Sequence, residues 1–375
     1  MPGTRHALGG PSPPTTAAPL HAEPAALLQR CYLNKRVLTC LIAVGCINTA
    51  SGQGLTLYGI LDGGVGYTRL EGSPSDVTID SGTSNDSRIG LRGSETLSGG
   101  LKANFRLESG IDLDVGTPTD GDRFYNRAAW VGLEGGFGEL RLGRQAIFGY
   151  DWFSDVSPFG TDYKQAGLAT VFGYDEIGSR IDNAIFYFSP TYGGFEAGIG
   201  YSFNDEGPES ADEDNEVLTL GLRYGGGPAT AVVTYEIRRD ADQDAAPGRA
   251  DIKNLSLGAT YDFSSVKLHA AYGRLKHRGF SRASETEKSW LVGASVTLGG
   301  GELLAGYQRV VNRNLNENGV DGARHGYALA YEYELSKRTS LYVYGSRFRG
   351  ADVREDDEGR LAKRLEFGSG VRFTF

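Results

Sequence analysis

The chain has 375 residues, a formal net charge of −9 and 39% hydrophobic residues. Mean hydropathy is −0.32, and no uninterrupted apolar stretch approaches the ~20 residues that a membrane-crossing helix needs, which excludes a helical membrane protein. The acidic balance carries no basic stripe and argues against a nucleic-acid partner, while 55 Gly, 20 Tyr and 17 Phe against one Met suit many strands joined by tight turns.

The N-terminal segment differs in character from the rest of the chain. Residues 1–24 hold six of the 13 prolines and show no periodicity. Next comes "NKRVLTCLIAVGCINTASGQ", with the basic pair Lys35-Arg36, an apolar run from Val37 to Ile47 and small polar residues up to Gln53. That order is the layout of a secretory signal peptide, and a short buried helix is the bland alternative. Cleavage is expected between Ala50 and Gln53, so that 1–53 is an extension plus signal peptide that is removed and 54–375 is the mature domain. Because such a signal normally begins a chain, translation is expected to start at Leu33; a precursor that carries residues 1–32 would refute this. A lipoprotein reading, with Cys46 acylated, is disfavoured by Ala43, where a larger aliphatic residue is usual. All three cysteines, Cys31, Cys40 and Cys46, lie in this leader. The mature chain therefore has no thiol for disulfides, metal ligation or nucleophilic catalysis. Without the leader, 34 basic residues face 46 acidic ones, a net charge of −12.

From Gly54 onward one unit repeats: an alternating run, a very short turn, another alternating run, then a longer polar connection. "LKANFRLE" sets Leu101, Ala103, Phe105 and Leu107 against Lys102, Asn104, Arg106 and Glu108. "VKLHAAYG" and "GYALAYEYEL" repeat the pattern, a period of two that predicts strands with one greasy and one polar face. Short turns are predicted at 97–100, 135–138, 192–194, 225–228, 263–265, 299–301 and 335–338, and long polar connections at 204–215, 238–251 and 349–363. Short connections at one end and long ones at the other are the layout of a transmembrane β-barrel. At roughly 20 residues per strand with its share of turn and loop, 322 residues make about 16 strands, an even number that lets both termini meet on one side. Closure removes the edges that lipid could not hydrogen-bond. A polar lumen accounts for Arg, Glu and Lys inside strands, where a dry core would reject them.

The opening "LTLYGILDGGVGY" (55–67), "SRIGLRGSETLSGGLKANFRLESG" (87–110), "GELRLGRQ" (138–145), "LSKRTSLYVYG" (335–345) and the terminal "GVRFTF" together resemble the general porins of Gram-negative bacteria, betaproteobacterial type. The resemblance spans the mature chain. It implies an all-β fold, a 16-stranded antiparallel transmembrane barrel with loop 3 folded into the lumen, in a homotrimer in the outer membrane. It also implies passive diffusion of ions and small hydrophilic solutes, without cofactor or catalysis. The last strand sets Leu365, Phe367, Val371, Phe373 and Phe375 on its greasy face, and a C-terminal strand ending in Phe375 looks like the family's signal to the barrel-assembly machinery.

The resemblance further implies a constriction where loop 3 meets a basic wall. The loop is expected over 146–178 and carries Asp151, Asp155, Asp162, Asp175 and Glu176. The family's Pro-Glu-Phe-Gly tip is matched by Pro158-Phe159-Gly160 without the Glu, leaving Asp155 and Asp162 to flank the turn. Parity turns Arg88, Arg92, Lys102, Arg106 and Arg141 inward, and Arg127 sits where resembling porins carry a pore arginine. At strand ends, such residues would instead solvate the rim or meet lipopolysaccharide, a further expected partner with outer-membrane lipid. The acidic runs at 209–216 and 354–359 read as solvated loops, and "NRNLNENGVD" (312–321) departs from a calcium loop in its ligand types, so no metal is expected.

The rival classes are an enzyme, a substrate-selective channel and a soluble or adhesive sandwich. No GxSxG, HExxH or phosphate-binding loop is present, and His269, His277 and His325 are widely separated. A selective channel is the alternative that sequence leaves open, because selectivity depends on how loop 3 packs.

Overall fold

The computed structural model describes residues 54–161, 163–164, 166–168, 171–203, 215–240, 250–278, 286–313, 322–350 and 363–375. The expectations for the leader, Asp162, the side chains of Asp175 and Glu176, most of the calcium-like segment and nearly all of the two acidic runs fall outside the described residues.

Among the described residues, sixteen antiparallel strands form one closed sheet. They are β1 (Thr56–Leu70), β2 (Asp76–Ser81 and Arg88–Thr96), β3 (Lys102–Asp112), β4 (Ala128–Gly135), β5 (Gly138–Ala146), β6 (Arg180–Phe188), β7 (Phe195–Ser202) and β8 (Glu216–Gly226). The second half of the sheet comprises β9 (Ala229–Asp240), β10 (Ala250–Asp262), β11 (Val266–Arg278), β12 (Thr286–Leu298), β13 (Gly301–Arg313), β14 (Gly322–Ser336), β15 (Thr339–Arg349) and β16 (Lys363–Thr374). A two-residue stub, Thr117–Pro118, pairs with the end of β3 and does not cross. Closure comes from β1 against β16, in register from Ile60↔Thr374 to Leu70↔Arg364, with reciprocal backbone bonds of 3.1 Å between Gly59 and Phe375.

All seven short turns lie where the alternation breaks, and their chemistry explains why. Gly299 and Gly300 take φ of 59° and 85° between β12 and β13, a left-handed region open to residues without a Cβ. Ser264 holds φ of 77° between β10 and β11, and its backbone N–H donates to Asp262 Oδ1 at 2.6 Å, the local compensation that a non-glycine residue needs there.

The second strand departs from a simple alternating run. Both of its segments pair with β1, Ser81 opposite Gly63 and Arg88 opposite Ile60, and residues 82–87 leave the sheet between them. This excursion lies inside the barrel, seated on the fully buried Asp62. The Asp62 carboxylate accepts from the backbone N–H of Ser84 (3.1 Å) and Asn85 (2.9 Å) and from the Tyr342 hydroxyl (2.6 Å). A carboxylate so placed satisfies donors that the broken ladder leaves over.

The outward positions form layers. Leu257, Leu268, Val292, Leu329, Val343 and Val371 are exposed in a middle band. Toward the long-loop end lie aromatic rings, with Tyr67 stacked on Phe367 at 4.5 Å, Tyr307 near Tyr327 at 5.0 Å and Tyr272 against Trp290 at 5.9 Å. An apolar belt edged by aromatics is what a barrel shows to a bilayer.

Candidate pore constriction

Loop 3 runs between β5 and β6 and begins with two short helical segments, α1 (Phe148–Asp151) and a 3-10 turn (Trp152–Val156); α2 (Tyr174–Ile177) precedes β6. Its apolar side chains, Phe148, Trp152, Phe153, Val156, Phe172 and Ile177, are buried in one cluster with Phe186, Val217, Val232, Ile252, Leu291 and Val310 of the inner wall. Each fully buried large side chain contributes about 1.5–3 kcal/mol. The wall makes room with glycine. A Cβ on Gly221 would lie 2.8 Å from the Trp152 ring, one on Gly258 2.6 Å from Val156, and one on Gly293 2.8 Å from Pro158. Much of the glycine excess thus serves loop docking as well as turns.

Polar staples fix the height of the loop. The Phe148 N–H donates to Thr219 Oγ1 (3.1 Å), Asn254 Nδ2 to the Phe172 carbonyl (3.2 Å) and Gln308 Nε2 to the Ala166 carbonyl (2.5 Å). On the far side the Lys164 N–H donates to the Thr83 carbonyl at 3.2 Å, so the loop also reaches the β2 excursion. Phe159, of the tip Pro158-Phe159-Gly160, is buried against Tyr163 at 5.4 Å.

Opposite the loop, arginines converge from β2 to β6. Arg88, Arg106, Arg127, Arg141 and Arg180 share a cavity of about 160 Å³ with Glu108, Trp130, Tyr150 and Asp151. Counter-charges and rings hold these cations in place. Glu108 accepts from Arg106 (2.5 Å) and Arg127 (2.9 Å), Asp86 from Arg127 (2.7 Å) and Glu139 from Arg141 (2.6 Å). The Arg141 guanidinium also lies 4.3 Å from the Trp130 ring and 4.2 Å from Phe188, and Arg180 lies 4.8 Å from Tyr150. Cation–π contacts of this kind contribute about 0.5–2 kcal/mol each and keep flexible side chains extended.

Of the residues singled out from sequence, Arg88, Arg106, Arg127, Arg141 and Asp151 therefore come together in one cavity. Arg92 lies toward the short-turn end, 5.1 Å from the Tyr58 ring, in a second cavity that also meets Arg106 and Arg141. Lys102 is at the short-turn end of β3, half-exposed and outside the lining of both cavities, paired at 3.2 Å with Glu134 at the edge of the second. Asp155 is exposed on the 3-10 turn. Both Asp151 and Asp155 have side chains open to the lumen, yet enclosure by the barrel pushes their carboxyls above the usual range, with the Arg223 charge near each opposing the shift.

Sequence reasoning missed Arg180. On β6 the inward set Ala184, Phe186 and Phe188 makes even positions lumenal, a parity that Arg180 shares, and between the pairs Gly143↔Ala184 and Gln145↔Ile181 β6 carries one residue more than β5. Asn183 takes φ of 48° and Gly143 φ of 127° at this irregularity. The even parity of β6 was thus the available signal for Arg180, whereas the extra residue, beyond which the odd-numbered Ile181 is buried, leaves no mark in the alternation.

A family model described as Gram-negative porin matches residues 37–352. An outer membrane porin protein of Bordetella pertussis is 32% identical over 395 residues, covering 92% of this chain and 100% of that protein. Among solved structures, the anion-selective porin from Comamonas acidovorans superposes with a TM-score of 0.73 at 27% identity, over 86% of this chain and 100% of that one. An outer membrane protein of Vibrio cholerae, solved in a trimer form, shares the fold with a TM-score of 0.63 at 19% identity, over 87% and 100% of the two chains.

Proposed function

The chain belongs to the Gram-negative porin family, and from that premise we propose that its diffusion path is set by the basic wall of Arg88, Arg106, Arg127, Arg141 and Arg180 facing Asp151 of loop 3. The protein is an outer-membrane channel for the diffusion of small solutes and not an enzyme. Five guanidinium groups against Glu108, Asp151 and the paired Asp86 and Glu139 leave the narrow zone with a small positive excess. The resulting transverse field draws anions and slows cations without excluding either. A modest anion preference results, in keeping with the anion selectivity named for the Comamonas relative.

Four further readings complete the proposal. The functional unit is a homotrimer, as in the trimer form of the Vibrio protein. Residues 1–53 are removed during export, and the strand ending in Phe375 is read by the barrel-assembly machinery. The outer rim meets lipopolysaccharide. The observation that carries the channel reading is the arginine wall across the lumen from a loop stapled to the opposite side.

Planar-bilayer recording of the purified protein tests it. Stepwise openings in groups of three, with a reversal potential under a KCl gradient of the sign that favours chloride, are the expected result. A cation preference would refute the assignment of the wall, and closed, folded trimers would point to a substrate-gated barrel.

A further inference from the structure

The outer surface of the barrel carries charge of its own. On the membrane-facing side of β10 to β13, just beyond the Tyr272–Trp290 pair toward the long-loop end, lie Lys253, Arg274, Lys276, Lys288 and Arg309. Strand register sets Arg274 directly opposite Lys288 and Lys253 directly opposite Lys276, while Arg309 faces Trp290. Like charges directly opposite each other destabilise an antiparallel pair. Lys253 is relieved by Asp251 at 2.6 Å, but Arg274, Lys276, Lys288 and Arg309 have no carboxylate partner among the described residues. Elsewhere on this rim Arg239 is paired with Glu216 at 3.3 Å and Lys363 with Glu71 at 2.8 Å.

We propose that this face is a binding site for the phosphorylated headgroup of lipopolysaccharide, with Arg274, Lys288 and Arg309 meeting the phosphates and Trp290 the sugar and upper acyl region. Three observations select this occupant. The apolar and aromatic layers below the patch are those that a bilayer covers, so the cations stand at headgroup height. The long-loop end of a porin faces outside, where that headgroup is. A second copy of this chain meeting the patch with the same face would bring cations against cations. Phosphates then supply the counter-charge that the sheet lacks, and Arg forks bind them bidentately. The site rests on the outer-leaflet contact proposed above and gives it a location.

The test is a native mass-spectrometric titration of delipidated, purified protein with bisphosphorylated lipid A and with the same lipid A stripped of both phosphates. The wild type is expected to bind the phosphorylated form preferentially. R274Q/K288Q/R309Q is expected to bind it about a hundredfold more weakly, from the usual contribution of each basic residue at an anionic lipid surface. R274K/K288R/R309K, which keeps the charge, retains binding. Equal affinity of wild type and the triple Gln variant, or equal affinity for the two lipids, overturns the proposal. Conductance of the triple Gln variant is expected to match wild type, which separates a lost lipid site from a misfolded barrel and from any failure of the channel reading. Should the triple variant fail to fold, R274Q and K288Q alone decide the matter, each expected to weaken binding several-fold.

Discussion

Arg88→Ala removes one guanidinium from the cavity that holds Arg106, Arg127, Arg141 and Asp151. Arg88 donates to the neutral Asn85 amide oxygen, whereas Arg106 and Arg127 share Glu108. An ion passing about 8 Å from the Arg88 charge feels roughly 0.5 kcal/mol at bulk dielectric and about 2 kcal/mol at an effective value near 20. Using the lower figure for a water-filled lumen, the change acts with opposite sign on chloride and potassium, so their permeability ratio should move roughly fivefold toward potassium, and less in concentrated salt. The assay is the reversal potential of single trimers under a KCl gradient, repeated at low and high ionic strength. Lys102→Ala is the control, because that lysine is exposed at the short-turn end and paired with Glu134. An unmoved reversal potential for Arg88→Ala, or an equal shift for Lys102→Ala, would refute the location of the constriction.

Three other outcomes are expected. Asp151 and Asp155 take up protons at a higher pH than ordinary carboxylates, so acidification removes the loop's negative charge early. Chloride preference should therefore rise as pH falls through the upper carboxylate range, and Asp151→Asn should flatten part of that dependence; a preference that falls with acidification contradicts it. Gly258→Val would thrust side-chain atoms into Val156 and Phe153, with even the Cβ at 2.6 Å and 2.9 Å, a clash of about 1–3 kcal/mol at the seat of loop 3. Noisier openings of altered size should result, and wild-type traces would show that the loop does not depend on this seat. Asp62→Asn keeps one oxygen for the Ser84 and Asn85 N–H groups only by turning its NH₂ toward the Tyr342 hydroxyl, which then loses its acceptor, and should cost about 1–3 kcal/mol, read as earlier loss of the heat-resistant folded form on gels.

Much of this architecture is legible in the chain because a barrel strand has a period of two and each face has its own solvent. Leu365, Phe367, Val371 and Phe373 face outward and Glu366 and Arg372 inward as alternation dictates, with Arg372 paired to Glu332 at 2.9 Å. The same rule turned Arg88, Arg106 and Arg141 toward the lumen, and the glycines marked the turns. Alternation says which side a residue takes and nothing of its height or partners. Arg92 and Lys102 obey the parity of Arg106, yet only tertiary structure separates Lys102 at the barrel end from arginines beside loop 3. The extra residue of β6 opposite Gly143–Gln145, the inward excursion at 82–87 and the glycine seats of loop 3 were likewise beyond reading. Each depends on pairings between residues far apart in the chain. What the sequence determined by itself was the two-faced strand, its turns and hence a closed barrel, because these follow from local periodicity and the demand that lipid leave no open edge. Only the tertiary structure decided the pore, because the positions of charges across a lumen are set by register and loop packing, which no single strand encodes.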